Sequence, residues 1–120
     1  MTPNRVNLAQ KLSLLDERWS PKVVGELNGQ HVKLVKSLGE FVWHHHDEED
    51  ELFLMVKARF RMEYRDRSEW IEEREFVVVP RGVEHGPVAE EEAHVMLFEP
   101  ASTVKGSAGG GMTMAELDRV

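Results

Sequence analysis

Three consecutive imidazoles, His44-His45-His46, followed by the acidic run Asp47-Glu48-Glu49-Asp50-Glu51, concentrate ligating side chains in one short stretch. If residues 41–46 form a strand, successive side chains point to opposite faces. His44 and His46 then share one face and His45 takes the other. Two imidazoles at that spacing reach one metal ion from the same side, and Glu51 returns a carboxylate to it after a short acidic turn. Much further on, the apolar strand 76–79 leads into Pro80-Arg81-Gly82-Val83-Glu84-His85, which delivers another imidazole. Three neutral imidazoles and one carboxylate make a nitrogen/oxygen set suited to Mn, Fe, Co, Ni, Cu or Zn.

The spacing of these residues also carries a resemblance. Gly39, His44, His46 and Glu51 fit a first motif of the form Gly, spacer, His-x-His, spacer, Glu, spacer, Gly, with Ala58 at its last glycine. The first spacer is one residue shorter than the motif's usual about five. Pro80, Gly82 and His85 fit a second motif, in which Arg74 stands at the opening glycine and Ala89 at a closing asparagine. On this pattern, over roughly residues 32–100, the chain resembles the small single-domain cupins. The resemblance implies an all-β fold, a small antiparallel β-barrel or jelly roll. It implies a centre ligated by His44, His46, Glu51 and His85, and a homodimer. It does not select a reaction, because one fold hosts many chemistries.

At 120 residues the chain is long enough for one core without staples. It has no cysteine, so disulfides and thiolate ligands are excluded. No stretch approaches the ~20 apolar residues of a membrane span, and nothing near Met1 reads as a signal peptide; a cytoplasmic location is expected. The net charge of −7 is uneven: residues 1–39 carry six Lys/Arg against three Asp/Glu, and residues 40–120 carry nine against nineteen. An acidic body argues against nucleic acid and acidic membranes as partners.

Three segments are expected: residues 1–30, a helix and first strand packed on the barrel; 31–100, the barrel; and 101–120, a tail that is mobile or docks on a partner. Asn7 can cap a helix over residues 7–18 with Leu8, Leu12 and Leu15 on one stripe, ended by Ser20-Pro21. Asn28-Gly29 between strand-like runs at 22–27 and 30–38 signals a tight hairpin. Further short strands are expected at 52–56, 59–65, 69–73, 76–79 and 95–98. Thr113 and Glu116 can cap a last helical turn.

Alternation selects the interior. With Glu51 inward, Phe53 and Met55 follow it, and Leu52, Leu54 and Val56 cover the outer face, which the helix or a second subunit must bury. Arg59, Arg61 and Arg65 point to water and Phe60, Met62 and Tyr64 point in. On the last strand His94, Met96 and Phe98 share a face. The expected substrate pocket is therefore Phe53, Met55, Phe60, Met62, Tyr64, His94, Met96 and Phe98, with His94 a proton carrier if it faces the metal. His45 is expected outside, Glu48 to Asp50 in a solvated turn, Glu84 in a structural role, and His31 in no constellation. If Ala58 and Arg74 adopt the positive φ of the glycines they replace, each strains its turn.

Four protein ligands leave two positions on a six-coordinate metal, which favours Fe, Mn, Co or Ni over Zn. The expected function is a metal-dependent, dioxygenase-like enzyme acting on a small, partly apolar oxygenated molecule. A non-enzymatic metal or small-molecule binding module is the alternative. A sugar-phosphate isomerase is the second alternative, disfavoured because an apolar interior offers no cation for phosphate.

Overall fold

Asn28 and Gly29 take positive φ of 48° and 76°, the conformation that turns a two-residue hairpin with the natural twist of its strands. They join β1 (Lys22–Leu27) to β2 (Gln30–Glu40). The protein was analysed as a computed structural model that describes residues 4–103 and 119–120; the expected turn at Thr113 and Glu116 lies outside the described residues. After β2 come β3 (Glu51–Lys57), β4 (Phe60–Tyr64), β5 (Ser68–Ile71), β6 (Phe76–Val79) and β7 (His85–Pro100). Every pairing between these strands is antiparallel.

β7 organises the barrel. One edge pairs with β2 from Gln30↔Pro100 to Glu40↔Val88. The other edge takes β3 over its second half and β4 over its first. Only the 95–98 part was legible as a strand, because Glu90, Glu91 and Glu92 are exposed and break the apolar alternation before it. Conversely, residues 41–46 do not form a regular strand. The ladder shifts register between Ser37 and Gly39, where Gly39 sits at φ 79°. Beyond it the backbone of the segment bonds to β7 through Phe41 N–H donating to Pro87 O and through the pair His44↔His85.

The helix is also shorter than its apolar stripe. α1 spans Leu8–Leu12, with the Asn7 side chain accepting from Gln10 N–H at 3.0 Å as its cap. Leu12 and Leu15 are nevertheless buried, against Leu34, Val56 and Met96 on the outer face of the sheet. The inner face holds the main core, including Val35, Phe53, Met55, Phe60, Met62, Ile71, Val79, Val95 and Leu97. Near the C-terminus, Val120 N–H donates to Val23 O at 3.1 Å.

Ala58 and Arg74, which stand at two glycine positions of the resembled motifs, have φ of 62° and 71°. A side chain in that left-handed region costs roughly 1–2 kcal/mol, which the strand pairings on either side must offset. Ala58→Gly should therefore stabilise the protein by about 1 kcal/mol and raise Tm by a few degrees. A lower Tm in the variant would show that the methyl packing of Ala58 outweighs its strain.

Candidate metal centre

The site is assembled by a backbone pair. His44 N–H donates to His85 O at 3.0 Å, and His85 N–H donates back to His44 O at 2.9 Å. Residues opposed in this way project their side chains to one face, and the two imidazole centroids lie 4.3 Å apart. The Pro80–Val83 turn delivers His85: Gly82, at φ 80°, donates its N–H to His46 O at 2.8 Å. Asp50 clamps the same turn by accepting from Arg81 N–H at 2.9 Å and from its guanidinium. His46 stands 5.4 Å from His44 by ring centroids, and Glu51 opens β3 with its carboxylate turned inward. His44, His46, Glu51 and His85 are all buried.

The ring tautomers follow from the backbone. Nδ1 of His44 lies 2.8 Å from Val42 O, and Nδ1 of His85 lies 2.9 Å from Val83 O. Each is a donor to a carbonyl two residues back, which leaves Nε2 with its lone pair for a ligand. Glu51 Oε1 is 3.3 Å from His46 Nε2 and 3.6 Å from His85 Nε2. Neither contact has hydrogen-bond geometry, and Glu51 Oε1, His85 Nε2 and both nitrogens of His46 lack a partner among the described residues. Buried polar atoms are rarely left so. The spacing is close to the about 3 Å that separates neighbouring donors each ~2.1 Å from one ion. His44, Glu51 and His85 form one group of potential donor atoms lying within 4.8 Å of each other, while His46 falls in a second group with Glu51 and Glu99. A His/Glu cluster of this kind could hold a metal ion.

Electrostatics agree with that assignment. Burial lowers His44 to about 4, against the opposing pull of its bond to Val42, so the imidazole is neutral at physiological pH. Burial alone would raise Glu51, but His46, His85 and Glu99 outweigh it and hold the carboxyl well below the usual range.

A cavity of about 50 Å³ adjoins His44 and Glu51. Of the expected pocket residues, Phe53 and Phe60 line it. Met55 and Met62 are fully buried in the core behind it. Tyr64 is half-buried and lies under the guanidinium of Arg67, away from the cavity. His94, Met96 and Phe98 face the other way, because Val95, Leu97 and Glu99 hold the inward positions of β7. His94 pairs with Glu92, Met96 packs under α1, and Phe98 lies opposite Leu52 and Val32, so His94 is no proton carrier for the metal.

Two charged residues were missed. Lys33 and Glu99 line the cavity and form an ion pair with side chains 1% and 3% exposed. The interior is therefore not purely apolar. Arg59, Arg61 and Arg65 do lie outside, stacked on Trp70 or Trp43. Glu84 pairs with Arg65 and His45 with Asp47 at the surface side of the loop. His31 is buried, 3.7 Å from Glu26 and 3.4 Å from Arg119, a grouping that the sequence did not suggest.

No family model matches the chain. It is 42% identical to a cupin-2 domain containing protein from Shewanella frigidimarina NCIMB 400, with a TM-score of 0.78, over 79% of this chain and 93% of that one. It is 33% identical to protein NMB1881 from Neisseria meningitidis, with a TM-score of 0.75, over 81% and 99%. The chain belongs to the cupins, as a small cupin-2-type domain. Among curated sequences it is 26% identical over 80 residues to the uncharacterized protein YdbB of Bacillus subtilis (strain 168), which is 66% of this chain and 71% of that one. Hydroquinone 1,2-dioxygenase PnpCD in complex with Cd2+ and 4-hydroxybenzonitrile shares the fold alone, at 12% identity and a TM-score of 0.64, over 75% and 69%.

In metal-stripped protein the unfolded chain takes up a proton on His44 near 6.5, which the folded chain refuses until about 4. The contribution of His44 to stability is therefore complete above 6.5 and is lost as the pH falls towards 4. At ~1.4 kcal/mol per pH unit this amounts to roughly 3 kcal/mol. Denaturant unfolding of wild type and His44→Gln from pH 7 to 4 should show the wild type losing more stability than the variant. Parallel curves would contradict the buried, neutral assignment.

Proposed function

We propose that this cupin is a metal-dependent oxidoreductase of the dioxygenase type, acting on a small oxygenated molecule held in the barrel. The observation that carries this reading is the convergence of unpartnered imidazole and carboxylate donors on the wall of a buried cavity. When bound, a divalent metal supplies Lewis-acid polarisation of a ligand oxygen and, for Fe, Mn, Co or Ni, redox chemistry with dioxygen. The chain contributes position and environment. Val42 and Val83 lock the rings of His44 and His85. Val35, Phe53, Phe60, Val95 and Leu97 give the cavity apolar walls, while Trp19 and Phe41, stacked at 5.1 Å, form a half-buried side of it. The fold shared with hydroquinone 1,2-dioxygenase is consistent with this class, and fold alone does not assign it.

A cavity of about 50 Å³ has room for a few water-sized groups. It suits a compact diketone or hydroxy-oxo compound better than a flavonoid. A phosphate ligand needs a cation of its own, and the ammonium of Lys33, which lines the cavity, is already held by Glu99. The isomerase alternative gains nothing from it. On the outer face, Leu52, Leu54 and Phe98 continue into the exposed Phe76 and Val78. We infer a homodimer through this face, which light scattering would report as twice the chain mass; a monomer mass at micromolar concentration would refute it.

Purified wild type should retain one transition metal per chain and His44→Ala/His46→Ala should lose it. The loaded protein should consume oxygen with small diketones faster than with catechols, and not with flavonoids. Equal metal content in both proteins would remove the centre. Bound metal without oxygen uptake would leave a binding module instead of an enzyme.

A further inference from the structure

Glu99 has its two carboxylate oxygens in different situations. Oε1 accepts from the ammonium of Lys33. Oε2 is buried and has no hydrogen-bond partner among the described residues. Its neighbours are informative: potential donor atoms of His46, Glu51 and Glu99 all lie within 4.8 Å of one another, a second group that shares Glu51 with the group of His44 and His85. Two carboxyl groups thus lie together in the interior, with the Lys33 ammonium beside one of them. Buried charge of that kind is retained only when it is compensated.

Resting on the metal reading above, we propose that Glu99 is a further protein ligand, beside His46 and Glu51, donating through Oε2, with Lys33 as the residue that positions it. This adds a second carboxylate to the four donors that the cupin motifs supply. The fold supports the role: β7 carries His85 at one end and Glu99 at the other, and Lys33 is on the β2 strand that pairs with β7 beside it. Lys33 holds Oε1 and so fixes which oxygen turns to the metal.

The test uses full-length protein stripped with chelator and reloaded with Co2+, whose visible absorption reports coordination number. Glu99→Gln should weaken Co2+ binding at least ~10-fold, the lower end of what even an outer partner of a metal ligand costs, and should change the absorption envelope. Because Glu99→Gln leaves the Lys33 charge buried and unpaired, Lys33→Met/Glu99→Gln serves as the second variant, with folding followed by circular dichroism. It should show the same loss of affinity and the same changed spectrum, since Lys33 acts only through Glu99. Unchanged affinity and absorption in the double variant would overturn the proposal and reduce Glu99 to a partner of Lys33, with the four-donor centre intact. A wild type that binds no Co2+ would overturn this inference and the centre together.

Discussion

A single reciprocal backbone contact, between His44 and His85, governs the site. Because each donates its N–H to the other's carbonyl, both imidazoles must emerge on one face of the barrel wall. Segments about forty residues apart are thereby brought to ligand distance without any direct attraction between the rings. The supporting contacts serve the same pair. Gly82 donates to His46 O, Asp50 holds the turn at Arg81, and the carbonyls of Val42 and Val83 fix the ring orientation. Removing the pairing would leave the two imidazoles present but unaligned, which is why regular strand structure along 41–46 is not required.

The interior combines apolar walls with a small number of charges. Phe53, Phe60, Val95 and Leu97 lower the local dielectric, so that an imidazole there is kept neutral and a carboxylate needs a partner. Burial, followed by the negative charge of Glu51, pushes Glu99 well above the usual carboxylate range, and Lys33 opposes that shift. An arrangement of this kind is costly in an ordinary core, where apolar residues of the same volume would serve stability as well or better.

Much of this was legible in the sequence. Gly39, His44, His46, Glu51, Pro80, Gly82 and His85 have a spacing tied to backbone geometry, the Asn28-Gly29 hairpin follows from local rules, and the positive φ at Ala58 and Arg74 was legible through the glycines of the resembled motifs. The parity of β7 was not legible, because both of its faces are apolar: Val95 and Leu97 inside, Met96 and Phe98 outside under α1 and beside β3. Alternation cannot choose between two apolar sets, and charged Glu99 on the inward set misdirects the choice. Lys33 was invisible for a related reason, since a lone lysine in a strand reads as solvent-facing until its partner across β7 is known. The short α1 reflects burial of Leu12 and Leu15 by tertiary packing, which needs the apolar stripe but not continuous helix.

Diffraction data collected at the absorption edge of Co2+ or Mn2+ from crystals grown with that ion test the centre most directly. The account requires one anomalous peak bounded by Nε2 of His44 and His85, a ring nitrogen of His46 and the carboxylate of Glu51. A featureless map at those side chains, with the ion present in excess, would contradict it.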